Sequence, residues 1–249
     1  LPACVFGDVH GCSSQLEKLI SQVKKSYPDV TFYSLGDLID RGPNSSDVLN
    51  LCIQEDVKPI LGNHESWLQT LLVDKVFDTL CLHESMGGKK TFKSFGVEIS
   101  IPYKDMASNL IEKMTPAQKN FIEKMPAYRE LLVDGKRYWL THAGIAKNVV
   151  NKISYGQSLE ENRFMMQSLL NDNIDIFLWP MPKIGENDGE DDNLYAFEDA
   201  VQIFGHTIVK KPVIKKHFIA LDTGCGTYNP YALSCIILPT NEIIQVNKE

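Results

Sequence analysis

The segments Ala3-Cys4-Val5-Phe6-Gly7-Asp8-Val9-His10-Gly11, Val30-Thr31-Phe32-Tyr33-Ser34-Leu35-Gly36-Asp37 and Val57-Lys58-Pro59-Ile60-Leu61-Gly62-Asn63-His64 share one plan. Each begins with a short apolar or β-rich run, passes through a glycine and ends on residues that bind metals well. The runs read as strands. Between them, Ser14-Gln15-Leu16-Glu17 has the form of a capping box opening a helical pattern that ends near Lys25, and Ser45 to Gln54 reads as a second helix. Repeated βα units predict a parallel sheet. In such sheets function collects beyond the carboxyl ends of the strands, so three polar blocks are expected to converge on one crevice.

Downstream the pattern changes. Leu71 to Lys113 is weakly periodic and reads as a helical insertion at about 71–113, with Gly87-Gly88-Lys89-Lys90 as an exposed turn. Thr115-Pro116-Ala117-Gln118 starts a helix, with a threonine cap, proline in the first turn and glutamine completing the box. Tyr128 to Val133 and Arg137 to Thr141 flank Asp134-Gly135, a hairpin signal. Val201 to Phe204, His217 to Leu221, Tyr231 to Leu238 and Glu242 to Val246 read as further strands. Between these strands lie a helix opened by Ser158-Leu159-Glu160-Glu161 and an acidic stretch, Glu186 to Asp192, which lacks the ligand order of a calcium loop and reads as solvated. With no internal repeat and no long linker, residues 1–249 are expected to form a single domain.

The 249 residues are 43% hydrophobic and 23% charged, ordinary for a globular chain. A net charge of -7 is the wrong sign for holding nucleic acid on a broad basic surface, so any phosphate must be met locally. No window suits a membrane span, and no basic, then apolar, leader opens the chain. The cytoplasm is the expected location, although a start at Leu1 leaves room for a lost leader and hence for a secreted effector. Six scattered cysteines without a Cys-x-x-Cys pair suggest reduced, mostly buried thiols.

Asp8 and His10 alternate past a strand, so an extended segment would turn both toward one ion. Asp37 offers two carboxylate oxygens suited to bridging a pair of ions, and Asn63 adds a neutral oxygen. His142 in Thr141-His142-Ala143-Gly144 and His206 in Phe204-Gly205-His206-Thr207 again follow strands and stand beside glycine. A lone histidine is more often a structural residue, but five aligned strand-end blocks favour metal binding.

Gly7-Asp8-Val9-His10-Gly11, Gly36-Asp37-Leu38-Ile39-Asp40-Arg41-Gly42, Gly62-Asn63-His64-Glu65 and the two later histidines resemble the signatures of the PPP family of metallophosphoesterases. Together with Leu221-Asp222-Thr223-Gly224, they are similar to the bacteriophage lambda-type and bacterial serine/threonine phosphatases, with diadenosine tetraphosphatase as a close relative. The resemblance implies a calcineurin-like four-layer α/β/β/α sandwich with two mixed sheets and two divalent metal ions, manganese first, with iron or zinc as alternatives. It implies Asp8, His10 and Asp37 at one ion and Asp37, Asn63, His142 and His206 at the other. His64 would protonate the leaving oxygen, Asp40 would orient His64, and Arg41 would bind phosphate, although an arginine here also suits a structural ion pair. The implied reaction is hydrolysis by direct attack of ion-activated water, without a phosphoenzyme. One departure is Trp179-Pro180-Met181-Pro182-Lys183, where lambda-type enzymes carry a second phosphate-binding arginine shortly after the tryptophan; Lys183 or Arg163 is the candidate substitute.

Two substrates compete. Diadenosine tetraphosphatases usually lack the second aspartate of Gly-Asp-x-x-Asp-Arg-Gly and end the next block in Asp, whereas this chain keeps Asp40 and Glu65. That favours a phosphoprotein or phosphopeptide over a dinucleoside polyphosphate. A non-catalytic binding module fits poorly, because it has no need of the full ligand set plus His64 and Asp40. A cysteine-nucleophile phosphatase lacks its arginine six positions after any cysteine, and no Walker loop is present.

Overall fold

The computed structural model describes residues 1–150, 158–184, 193–227 and 232–247. In chain order the elements are β1 (Ala3–Phe6), α1 (Ser13–Ser26), β2 (Thr31–Ser34), α2 (Ser45–Gln54), β3 (Lys58–Pro59), α3 (Asn63–Asp74), a 3-10 turn (Thr79–Leu82), α4 (Gly88–Ser94), α5 (Tyr103–Lys113) and α6 (Pro116–Glu123). They continue with β4 (Tyr128–Val133), β5 (Lys136–Thr141), α7 (Lys147–Val150), α8 (Leu159–Asp172), α9 (Asp175–Leu178), β6 (Ala200–Phe204), β7 (Val213–Ile214), β8 (Phe218–Ala220), β9 (Ala232–Leu238) and β10 (Glu242–Asn247). Among these residues no helix is long and apolar enough to cross a membrane.

Two mixed sheets result, ordered β10-β9-β1-β2-β3 and β4-β5-β6-β8-β7. In the first, β1, β2 and β3 run parallel and β9 is antiparallel to β1; in the second, β5, β6 and β8 run parallel. Strand alternation builds the layers. Ala3 and Val5 of β1, Ile236 and Leu238 of β9, Tyr138 and Leu140 of β5, and Val201 and Ile203 of β6 interdigitate in one core between the sheets. The opposite faces, Cys4 and Phe6 on one sheet and Trp139 on the other, pack against helices. The calcineurin-like α/β/β/α sandwich expected from the sequence is therefore the observed architecture.

Local differences have local causes. Helix α1 starts at Ser13 with Cys12 as its cap residue and no side-chain cap bond, so the expected box at Ser14 does not form. The third strand shrinks to two residues: Pro59 has no N–H for the ladder, and the Leu61 amide donates to Pro126 O. Gly87 and Gly88 are no exposed turn. Gly87 takes a left-handed φ of 78° to start α4, and a Cβ there would lie 2.7 Å from Arg41 N. The boxes at Thr115 and Ser158 and the β4–β5 hairpin form as expected. The acidic stretch Glu186 to Asp192 and Tyr231 lie outside the described residues. The six cysteines are free thiols, five of them buried.

Candidate metal centre

The ligand-bearing loops are tied to one another by main-chain bonds. The amides of Val9 and His10 both donate to Asp37 O at 2.9 Å, and that of Gly11 donates to Leu38 O at 2.8 Å. This crowding forces left-handed backbone at His10 (φ 46°), Asp37 (49°), Asp40 (70°), Arg41 (58°) and His206 (61°). Such conformations are costly for residues with a Cβ and gather at functional sites. The fully buried Glu65 compensates. Its Oε1 accepts the amides of Leu38 (2.7 Å) and Ile39 (3.0 Å), and its Oε2 accepts those of Asp37 (2.8 Å) and Gly62 (3.2 Å). Burial and the nearby Asp37 push its carboxyl up to about 7.

Asp40 organises His64 in the same manner. Its Oδ2 accepts His64 Nδ1 at 2.9 Å and Trp67 Nε1 at 3.0 Å, while Oδ1 accepts the Thr91 hydroxyl at 2.6 Å. The Nδ1 proton of His64 is thereby fixed, and its Nε2, buried and without a hydrogen-bond partner, lies 3.9 Å from Asp37 Oδ2. Burial opposes the imidazolium, but Asp37 and Asp40 outweigh it and raise the His64 pKa.

His10 and His142 share a second pattern. His10 Nδ1 meets Ile39 O at 3.1 Å and His142 Nδ1 meets Leu35 O at 2.8 Å, which assigns a proton to each Nδ1 and a lone pair to each Nε2. Those Nε2 atoms approach Asp37 from opposite sides, His10 at 3.6 Å from Oδ2 and His142 at 3.4 Å from Oδ1. His142 Nε2 also lies 2.9 Å from Asn63 Oδ1 and 3.1 Å from His206 Nδ1. Acceptors that face acceptors at these distances need a proton or a cation between them. The ligand atoms of His10, Asp37 and His64, and those of Asp37, His142 and His206, form two groups each within 4.8 Å, so the donor set fits a pair of divalent ions sharing Asp37.

Asp8 is buried beside them, its oxygens accepting the His206 amide at 3.2 and 3.3 Å. Burial, then Asp222 and Asp37, push its carboxyl well above the usual range. Burial likewise raises the Asp37 carboxyl, yet His142, His64 and His10 overcome it and hold that group well below the ordinary value. Asp222 was not singled out as a site residue, although it too follows a strand and precedes Gly224, the signal that marked Asp8. Arg41 Nη1 lies 2.8 Å from His10 Nε2, and among the described residues it makes no ion pair with an acid, so the structural reading of Arg41 loses its partner. Of the proposed second phosphate contacts, Arg163 is engaged by Glu130 through bonds of 2.7 and 2.9 Å, and Lys183 is exposed.

Among known proteins, the calcineurin-like phosphoesterase pattern matches residues 1–210. The chain belongs to that family. A bis(5'-nucleosyl)-tetraphosphatase PrpE [asymmetrical] of Halalkalibacterium halodurans is 26% identical over 257 residues, covering 97% of this chain and 92% of that phosphoesterase. A symmetrical bis(5'-nucleosyl)-tetraphosphatase of Acidovorax ebreus is 45% identical over 64 residues, 25% of this chain and 22% of the relative. The chain spans less than half the length of the symmetrical relatives it matches. A crystal structure provisionally called a diadenosine tetraphosphatase superposes with a TM-score of 0.63 at 19% identity, covering all of this chain and 94% of the other, which supports the shared phosphoesterase fold.

Proposed function

We propose that this phosphoesterase hydrolyses dinucleoside polyphosphates, as a bis(5'-nucleosyl)-tetraphosphatase, at a centre of two divalent ions. The observation that carries the metal chemistry is the meeting of the His142 Nε2 lone pair with Asn63 Oδ1, His206 Nδ1 and Asp37 Oδ1. Asp8, His10 and Asp37 would hold one ion, and Asp37, Asn63, His142 and His206 the other, with manganese the first choice and iron or zinc the alternatives. When bound, such a pair polarises phosphate oxygens and makes water a nucleophile at neutral pH. His64 gives its Nε2 proton to the leaving oxygen, Asp40 keeps its Nδ1–H in place, and Arg41 meets the phosphate.

The end-to-end relatives named as tetraphosphatases support the dinucleotide over the phosphoprotein expected from the motifs. The motif argument rested on Asp40 and Glu65, and both turn inward: one holds His64, Trp67 and Thr91, the other caps four backbone amides. Neither offers a free atom to a substrate. The test is kcat/KM for diadenosine tetraphosphate against phosphoserine, phosphothreonine and phosphotyrosine peptides, with metal-stripped protein reconstituted in manganese and Asp8→Asn as the blank. The expected outcome is a preference for the dinucleotide of about tenfold or more. A preference for peptides would return the assignment to protein phosphatase.

A further inference from the structure

On the β1–β2 side the cluster is framed by buried polar groups, whereas exposed apolar residues follow helix α9 and His206 in the chain. Helix α9 ends between two layers: Phe177 packs in the core beneath α8, and Leu178 joins the core of the first sheet. The carbonyl of Phe177 accepts the Ala143 amide at 2.8 Å, one residue past His142, and the carbonyl of Trp179 faces the His206 ring. The backbone of Trp179 is thus placed beside His206, with Pro180 and Pro182 restricting the chain that follows. Its side chain is 41% exposed, Met181 is 74% exposed, and Ile208, two residues past His206, is 46% exposed. The other tryptophans, Trp67 and Trp139, are 4% and 1% exposed. An exposed tryptophan whose backbone adjoins a polar site suits a planar ligand better than it suits water.

The phosphate contacts strengthen the case. Arg41 is the guanidinium placed at the cluster, Met181 has no charge, and Arg163 is held by Glu130. With a net charge of -7 the protein gains no long-range attraction for a polyanion. Phosphate binding is then confined to the centre itself, and discrimination among phosphate substrates falls to the group carried beyond it.

We propose that Trp179, flanked by Met181 and Ile208, is a stacking platform for one nucleobase of a nucleoside polyphosphate whose phosphate chain lies on the His142–His206 side of the cluster. The identity of the substrate rests on the dinucleotide reading above. Every base presents a π-face, so an indole platform tolerates base identity and favours the larger purines. A phosphoserine side chain has no group that would occupy it.

The burial of Trp67 and Trp139 makes Trp179 the tryptophan that reports a stacked base by fluorescence. Zinc-loaded protein is titrated with adenosine 5'-(α,β-methylene)diphosphate and with methylenediphosphonate, which differ by the nucleoside. The nucleotide should quench and bind about tenfold or more tighter than the base-free ligand. Calorimetric titration of Trp179→Ala should find the two affinities equal, and Trp179→Phe should retain most of the difference. Equal affinities in the unsubstituted protein, or a nucleotide preference that survives Trp179→Ala, would overturn the platform, and the first of these needs no variant to fold. No turnover is read. Failure to hydrolyse diadenosine tetraphosphate would therefore leave a base preference standing, while hydrolysis without base preference would remove the platform alone.

Discussion

Around Asp37, Leu38, Ile39 and Asp40 every backbone amide has a buried acceptor on Glu65, Ser45 or Thr91. Around His206 the frame is thinner: its amide rests on the oxygens of Asp8, its ring meets His142 Nε2 and the Trp179 carbonyl, and the residue is only partly buried. The first-sheet loop is held by four buried amides bonded to side chains, whereas on the second-sheet side His142 is fixed through Leu35 O and the His206 ring is held more loosely. Preorganisation on one side and adaptability on the other suit a reaction that demands fixed geometry at phosphorus and some latitude in the group carried beyond it.

Asp37→Asn attacks the residue shared by both sides and should have the largest effect. A neutral side chain cannot balance two cations, so activity should fall by about 1,000-fold or more, with loss of bound metal measured by elemental analysis. An active variant retaining both ions would sink the bridging role. Glu65→Gln strikes only the first-sheet side, replacing an acceptor oxygen by a donor that faces donors. Urea unfolding of metal-free protein should find it destabilised by about 2–4 kcal/mol. His206→Ala in the same assay should change stability by less than about 1 kcal/mol while lowering metal content; similar losses for the two variants would erase the contrast. His64→Ala should keep both ions and lose about 100-fold in rate for poor leaving groups, with a smaller loss for good ones. Uniform losses would argue against proton donation. Arg163→Ala should be the mildest, within about 0.5 kcal/mol in stability and without effect on turnover, because Arg163 is itself half exposed and Glu130 keeps Arg137 as a partner.

The layer order and the ligand blocks were legible because both follow from local rules: alternation of apolar residues along strands, and glycines at strand ends. Asp8, His10, Asp37, Asn63, His142 and His206 all emerge from that pattern; the fold groups the ligand atoms of His10, Asp37, His142 and His206, with Asp8 bonded to the His206 amide and Asn63 beside His142. The support was not legible. Glu65 reaches amides 26 to 28 residues away, and Thr91 reaches Asp40 across 51 residues; nothing in the local sequence encodes those closures. The choice between phosphoprotein and dinucleotide was not legible for the same reason, since motif letters alone do not say whether a carboxylate faces the substrate or the interior. At Gly87 composition misled: a Gly-Gly-Lys-Lys run suggests solvent, yet its first glycine packs against the Arg41 backbone.

The strand that carries Asp8 is flanked on one side by β2 and on the other by β9, whose first residue is Ala232. During synthesis β1 and β2 emerge early, but β1 keeps an open edge until more than 200 further residues have been added. Gly7, the residue before Asp8, donates its amide to Ser234 O, so the loop that presents Asp8 and His10 gains its last backbone support only when this late segment docks. If Asp8 and His10 hold an ion as proposed, a nascent chain would have little means of trapping it before that segment docks.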